Sequence, residues 1–169
     1  MIRLPRRTVR YVPLLALTTG VLLAAAAPAS AAAAAVDLDC TITVTTDVHP
    51  GLTPQPQHIA ITSHGLTGTA TCTGTFNGQP VTGPGRFAVY SELDVTGCVQ
   101  ATGVSRFVLK IPTANGTRTV AGRYTITSTT GVSIATGDFT GNITIISTVG
   151  DCVTTPITSA TSVLTGHIT

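Results

Sequence analysis

Leu66-Thr67-Gly68-Thr69-Ala70-Thr71-Cys72-Thr73-Gly74-Thr75-Phe76 alternates without a break. Leu66, Gly68, Ala70, Cys72, Gly74 and Phe76 fall on one side, and Thr67, Thr69, Thr71, Thr73 and Thr75 on the other. A strict period of two marks a strand with one face inside and one in water, because successive Cβ atoms of an extended chain point to opposite faces. Threonine suits this role: its branched side chain is stiff and packs well on a pleated surface. Asn77-Gly78 follows at once, and this dipeptide tolerates the positive φ angles of a tight hairpin turn.

The same alternation extends in both directions. Upstream, Leu38, Cys40, Ile42 and Val44 alternate with Asp37, Asp39, Thr41, Thr43 and Thr45. Pro50-Gly51-Leu52-Thr53-Pro54-Gln55-Pro56 then reads as an extended linker that cannot pair along its length, since proline donates no hydrogen bond. Beyond it Ile59 and Ile61 continue the inward set, with His58 and His64 outward. Downstream, Phe87, Val89, Leu93 and Val95 face in against Arg86, Tyr90, Glu92 and Asp94, and Phe107, Leu109 and Ile111 face in against Arg106 and Lys110. Asn115-Gly116 joins that segment to one in which Val120, Tyr124 and Ile126 face in. Segments near Val132–Thr136, Phe139–Val149 and Ile157–Ile168 follow, with Gly137-Asp138 and Gly150-Asp151 between them. No segment shows a 3.6 period, and residues 32–169 hold 31 Thr, 16 Gly and 7 Pro with almost no Glu or Lys. Many short strands linked by tight turns predict an all-β domain of about nine strands, an antiparallel β-sandwich or flattened β-barrel, over residues 32–169.

Residues 1–31 read as an export signal. Arg3, Arg6, Arg7 and Arg10 precede an apolar stretch, and Pro28-Ala29-Ser30-Ala31 supplies a small-residue cleavage site. Those four arginines belong to the leader, so 5 Lys plus Arg remain against 7 Asp plus Glu, a net charge of −2. A domain of that charge, without a Lys/Arg cluster, is not built for nucleic acid, and after the leader no apolar run approaches a membrane span. The expectation is a secreted, extracellular monomer whose partner is an extracellular or cell-wall ligand.

Four cysteines, Cys40, Cys72, Cys98 and Cys152, with no CxxC pair and an oxidising destination, read as two disulfides and not as a zinc site. Cys40 with Cys72 and Cys98 with Cys152 is the favoured pairing, because the first two lie on inward positions of neighbouring strands and the second two flank turns. On a loop-entropy model each such long ring contributes about 4 kcal/mol.

Complete catalytic constellations are missing. Glu92 and Asp94 share a strand face about 7 Å apart, a separation glycoside hydrolysis uses, but both point to solvent, where nothing separates their pKa values. Arg106 and Lys110 on the next strand are their natural partners in a surface ion ladder. His58 and His64 lie about 20 Å apart along an extended chain, so they do not share an ion. His49 with Asp47 is a better local pair, yet two ligands do not make a site, and Asp138 with Asn142 lacks the oxygen density of a calcium loop. His167 stands alone in the sequence. Gly103-Val104-Ser105-Arg106-Phe107 starts like a nucleophile elbow and fails at the second glycine. No cofactor, metal or catalytic residue is therefore expected.

The outward threonines at 67, 69, 71, 73 and 75 form the one candidate surface-binding face; such faces resemble the Thr-x-Thr arrays of some ice-binding proteins. In its Arg-rich leader, Ala-rich cleavage zone and Thr/Gly-rich domain with four cysteines, the chain resembles small β-rich proteins exported by high-GC Gram-positive bacteria. Pro50-Gly51-Leu52-Thr53 and the stretch from Gly150-Asp151-Cys152 to Thr161 carry that likeness, which implies export and brings no activity with it. In leader, size and two disulfides the format also resembles the neocarzinostatin-type apoproteins. That resemblance implies an immunoglobulin-like sandwich carrying a small hydrophobic chromophore. The sequence thus predicts a secreted, non-catalytic binding or surface-associated domain, with carriage of a small hydrophobic ligand as the alternative and an extracellular hydrolase as the second.

Overall fold

The alternating segments run as strands in the computed structural model, which describes residues 35–130 and 132–169; the leader read over residues 1–31 lies outside the described residues. Ten strands form: β1 (Val36–Leu52), β2 (Gln57–Thr62), β3 (Gly68–Phe76), β4 (Gln79–Pro80), β5 (Gly85–Thr96), β6 (Gln100–Thr113), β7 (Gly116–Thr129), β8 (Val132–Gly137), β9 (Phe139–Val149) and β10 (Ile157–Ile168). β4 is the element the sequence reading passes over. Asn77 and Gly78 take φ angles of 49° and 73°, the left-handed turn their chemistry allows, and the turn opens first into this two-residue strand.

All ten strands belong to one antiparallel sheet, and its order closes on itself. From β5 to β10 each strand pairs with its neighbour in sequence, and β10 then pairs with β1, Leu38 facing Ile168 and Thr45 facing Thr161. β2 and β3 share one column. Both pair with β1 on one side and with β5 on the other, end to end, separated by a Ser63–Thr67 bulge. Ser63 pins that bulge by giving its N–H to the Val89 carbonyl and accepting the Val89 N–H on its hydroxyl, both at 3.0 Å. With β2 and β3 in one column and the short β4 set aside, the ten strands make a circuit of eight columns. This is the geometry of a flattened barrel, and closure leaves few exposed edges of the kind that invite aggregation.

Glycines sit where the sheet must bend. A Cβ on Gly103 would overlap the Glu92 carbonyl, and one on Gly166 would overlap the Thr140 carbonyl, so only glycine lets these backbones approach. The barrel interior holds the inward residues of every strand, among them Leu38, Ile42, Phe87, Leu93, Phe107, Leu109, Ile111, Tyr124, Phe139, Leu164 and Ile168, all buried. Four aromatics run across it, Phe87 to Phe107 at 5.9 Å, Phe107 to Tyr124 at 6.1 Å and Tyr124 to Phe139 at 5.5 Å between ring centroids.

Three local expectations need correction. The segment beginning at Pro50 is not wholly a linker. β1 continues through Pro50 and Gly51, and Leu52 pairs with Ile157, because the register shift between Asp47 and Leu52 takes up the position where proline lacks its donor. Thr67 does not extend the threonine strand, since Leu66 and Thr67 belong to the bulge and β3 starts at Gly68. The surface ion ladder also does not form. The β5–β6 register sets Lys110 opposite Arg86 and Arg106 opposite Tyr90, which leaves Glu92 across from Val104 and Asp94 across from Thr102.

Candidate functional site

The two ends of the barrel are built differently. One carries the β3–β4, β6–β7 and β8–β9 turns, and the other carries the β1–β2, β5–β6, β7–β8 and β9–β10 connections. Aromatic rings fill the half nearer the first end. Toward the second end several inward positions become small: Ala101 lies opposite Ser128, and Ser128 opposite Ser133. Side chains of this size do not fill the interior of an eight-column barrel. A cavity of about 310 Å³ results, lined by Leu52, Ile59, Ile61, Leu93, Val95 and Ile143 on its apolar walls and by Gln100, Ser128 and Ser133 among its polar groups.

Its chemistry is uniform in one respect: among the described residues no Asp, Glu, Lys, Arg or His lines it. The hydroxyls of Ser128 and Ser133 bond to each other at 2.7 Å, so between them they retain one proton and free lone pairs for a third group. Around the opening stand exposed apolar side chains, Val99 at 53%, Val132 at 53%, Ile145 at 58%, Ile146 at 59%, Val149 at 63% and Val153 at 74% of their free surface. β8 is short and pairs with β9 only as far as Ser133 and Ile143, which leaves the Thr144–Val149 half of β9 without a neighbour on that side and opens the wall.

Cys98 joins Cys152 and Cys40 joins Cys72. The two bridges do different work. Cys40 and Cys72 are direct partners in the β1–β3 ladder and are buried in the barrel wall. Cys98 lies in the β5–β6 turn and Cys152 in the β9–β10 loop, connections on opposite sides of the circuit, yet their Cα atoms are 5.9 Å apart. The bridge therefore joins opposite sides of the circuit at this end of the barrel, and Cys98, though not the buried Cys152, forms part of the cavity wall. Asp151 shapes the loop that presents Cys152. Its carboxylate accepts the N–H groups of Val153, Thr154 and Thr155 at 3.0, 2.8 and 2.8 Å and the Thr154 hydroxyl. Led by the Thr154 hydroxyl, these donors lower its pKa from 3.8 to about 2.

Beneath the cavity lies a polar layer that the sequence reading missed. Ser91 and Ser105 are buried on facing inward positions with their hydroxyls 2.6 Å apart. Tyr124 lies beside them; burial pushes its pKa up to about 12, against a smaller lowering by its hydrogen bond with Ser105. Ser105, the residue of the failed elbow, is thus tied into the core.

The candidate residues of the sequence are scattered over the outer wall. Thr69, Thr71 and Thr73 are exposed on β3 and Thr75 is half-buried. Across the sheet Thr71 aligns with Thr41 and Thr165. Glu92 accepts the Tyr90 hydroxyl at 2.8 Å, while Asp94 meets His58 at 2.9 Å, so the two carboxyls are engaged with different partners on the surface. His64 stands 3.1 Å from Asp47, and His167 is 3.0 Å from Asp39 and 3.5 Å from Asp37. His49 is exposed and joins neither pair. Asp138 accepts the Arg123 N–H at 2.8 Å, and Asn142 lies on the exposed face of β9. Among the described residues, no three His, Cys, Asp or Glu side chains gather in a metal-binding group, and no helix is long and apolar enough to cross a membrane.

No family model, curated protein or solved structure matches the chain.

Proposed function

We propose that this chain is an exported, non-catalytic binding domain that carries a small, neutral, hydrophobic molecule in the mouth of its barrel. The observation that carries the reading is the cavity of about 310 Å³ with apolar walls and, among the described residues, no ionisable side chain. Ligand sites in proteins have this character, and the volume lies at the small end of their range. Transfer of apolar surface from water supplies the affinity, about 25 cal/mol for each Å² covered. Specificity falls to the few polar groups: the Ser128–Ser133 pair offers one hydroxyl proton to a carbonyl or hydroxyl on the ligand. A charged ligand group placed among these walls would lose its hydration with no partner to replace it. Two disulfides suit an oxidising compartment, and the leader pattern directs the chain to the extracellular medium.

Native mass spectrometry of protein purified from culture medium tests the reading, alongside titration with the neutral fluorophore N-phenyl-1-naphthylamine. A discrete added mass lost on denaturation, or saturable binding with a blue-shifted emission, is the expected result. Ser133→Leu should fill the cavity and remove binding while the fold persists. Probe binding that Ser133→Leu leaves unchanged would place the ligand elsewhere and overturn the proposal.

A further inference from the structure

Resting on that reading, we propose that the Cys98–Cys152 disulfide is a redox-operated strap over the cavity: it restrains exchange of the ligand while oxidised and permits it when reduced.

Three observations support the strap. The first is position. The β5–β6 turn and the β9–β10 loop stand four columns apart in both directions around the circuit, so a bond between them spans this end of the barrel, with Cys98 in the cavity wall. Cavity-lining residues lie on both sides of it, Leu52, Ile59 and Ile61 toward the β1–β2 turn and Ser128, Ser133 and Ile143 toward the β7–β8 connection.

The second is that hydrogen bonding does not tie these two loops. Among the described residues, no hydrogen bond links the β5–β6 turn to the segment from Gly150 to Pro156. That segment is held internally instead, by the Asp151 carboxylate and by the Asp151 and Cys152 N–H groups on the Thr155 carbonyl at 3.1 and 2.9 Å. Reduction would therefore free two preformed loops and leave the barrel wall intact.

The third is the contrast in access. Cys98 is half-exposed at the rim although its partner Cys152 is buried, whereas Cys40 and Cys72 are both buried between strands that already pair. Cys98 is thus the one half-exposed cysteine of the four. Exchange requires a thiolate to reach a sulfur atom, so a small dithiol meets the strap first. In that step the reagent thiolate attacks the Cys98 sulfur, the bond to Cys152 breaks, and Cys152 leaves as a thiolate that takes a proton. The second thiol of the reagent then attacks the mixed disulfide and releases Cys98. Two electrons and two protons pass to the protein, and the dithiol ends as its own disulfide.

The test uses the full chain loaded with N-phenyl-1-naphthylamine. Dissociation is followed by fluorescence on dilution, before and after treatment with graded dithiothreitol, and alkylation with peptide mapping identifies the cysteines that have opened. Cys98 and Cys152 should be alkylated at reductant levels that spare Cys40 and Cys72. At that point the dissociation rate should rise roughly tenfold, since affinity changes of this kind reside mainly in the off-rate. The paired variant Cys98→Ser with Cys152→Ser should release the probe at the fast rate without reductant; should it not fold, the reductant arm decides alone. Equal rates in the oxidised and strap-reduced forms, or prior opening of Cys40–Cys72, would overturn the strap and leave carriage standing. Absence of saturable binding in both forms would overturn carriage itself, and the strap with it.

Discussion

The barrel's two ends use the same strands and the same alternation to opposite effect. At the closed end Phe87, Phe107, Tyr124 and Phe139 meet ring to ring, and Val81 bridges to Thr113 to cover the gap beyond β4. At the mouth the corresponding inward positions are Ala101, Ser128 and Ser133, and the space they leave is the cavity. One end of a β-barrel can thus hold its stability and the other its binding site, because inward side-chain volume, and not backbone pattern, decides whether a layer is filled.

That division predicts unequal responses to mutation. Phe107→Ala removes a buried ring from the middle of the aromatic row and should cost about 3–5 kcal/mol. Val153→Ala at the rim, already mostly in water, should stay within about 0.5 kcal/mol. Urea denaturation of both variants gives the difference, and similar costs would mean that the mouth is packed after all. The hydroxyl layer between the ends comes next. Tyr124→Phe removes the hydroxyl that lies beside the Ser91–Ser105 pair and should cost about 1 kcal/mol.

Acid and alkali should separate the ends further. Tyr124 titrates at about 12 in the fold against 10.0 when free, so unfolded chain loses the proton first. Its contribution is complete below pH 10 and declines as pH rises toward 12, which weakens the closed end. Asp151 runs the other way. With a folded pKa of about 2 against 3.8, its contribution is present above pH 4 and is lost as pH falls through 2, and the structure that loosens is the mouth loop. Hydrogen exchange at the Val153, Thr154 and Thr155 amides should quicken between pH 4 and 2, after correction for intrinsic rates, while core amides of β6 and β7 hold. The smallest expected effect is on global stability, since Asp151 lies at the surface.

Much of the fold was readable because alternation is a local property. The run from Gly68 to Phe76, the inward sets of β5 and β6, and the Asn77-Gly78 and Asn115-Gly116 turns all appear where period two and turn chemistry place them. The misreadings have non-local causes. Pro50 was tolerated because a register shift fell at its position, and Arg106 missed Glu92 because the length of the β5–β6 turn set a register that places it opposite Tyr90. The cavity was harder to see. Ala101, Ser128 and Ser133 are unremarkable small residues scattered over three strands, and small inward residues near one set of turns are the only signal the chain offers for it.

By itself the sequence determined an all-β chain with tight hairpins, four cysteines to cross-link and no complete catalytic or metal-binding motif, since these depend on residue chemistry and neighbours a few positions away. Tertiary structure alone decided that β10 returns to β1, that β2 and β3 share a column, and that the Cys98–Cys152 pair expected from the sequence joins opposite sides of the circuit. Each of these brings together residues distant along the chain, and circuit closure sets which inward positions face one another and how much room remains between them.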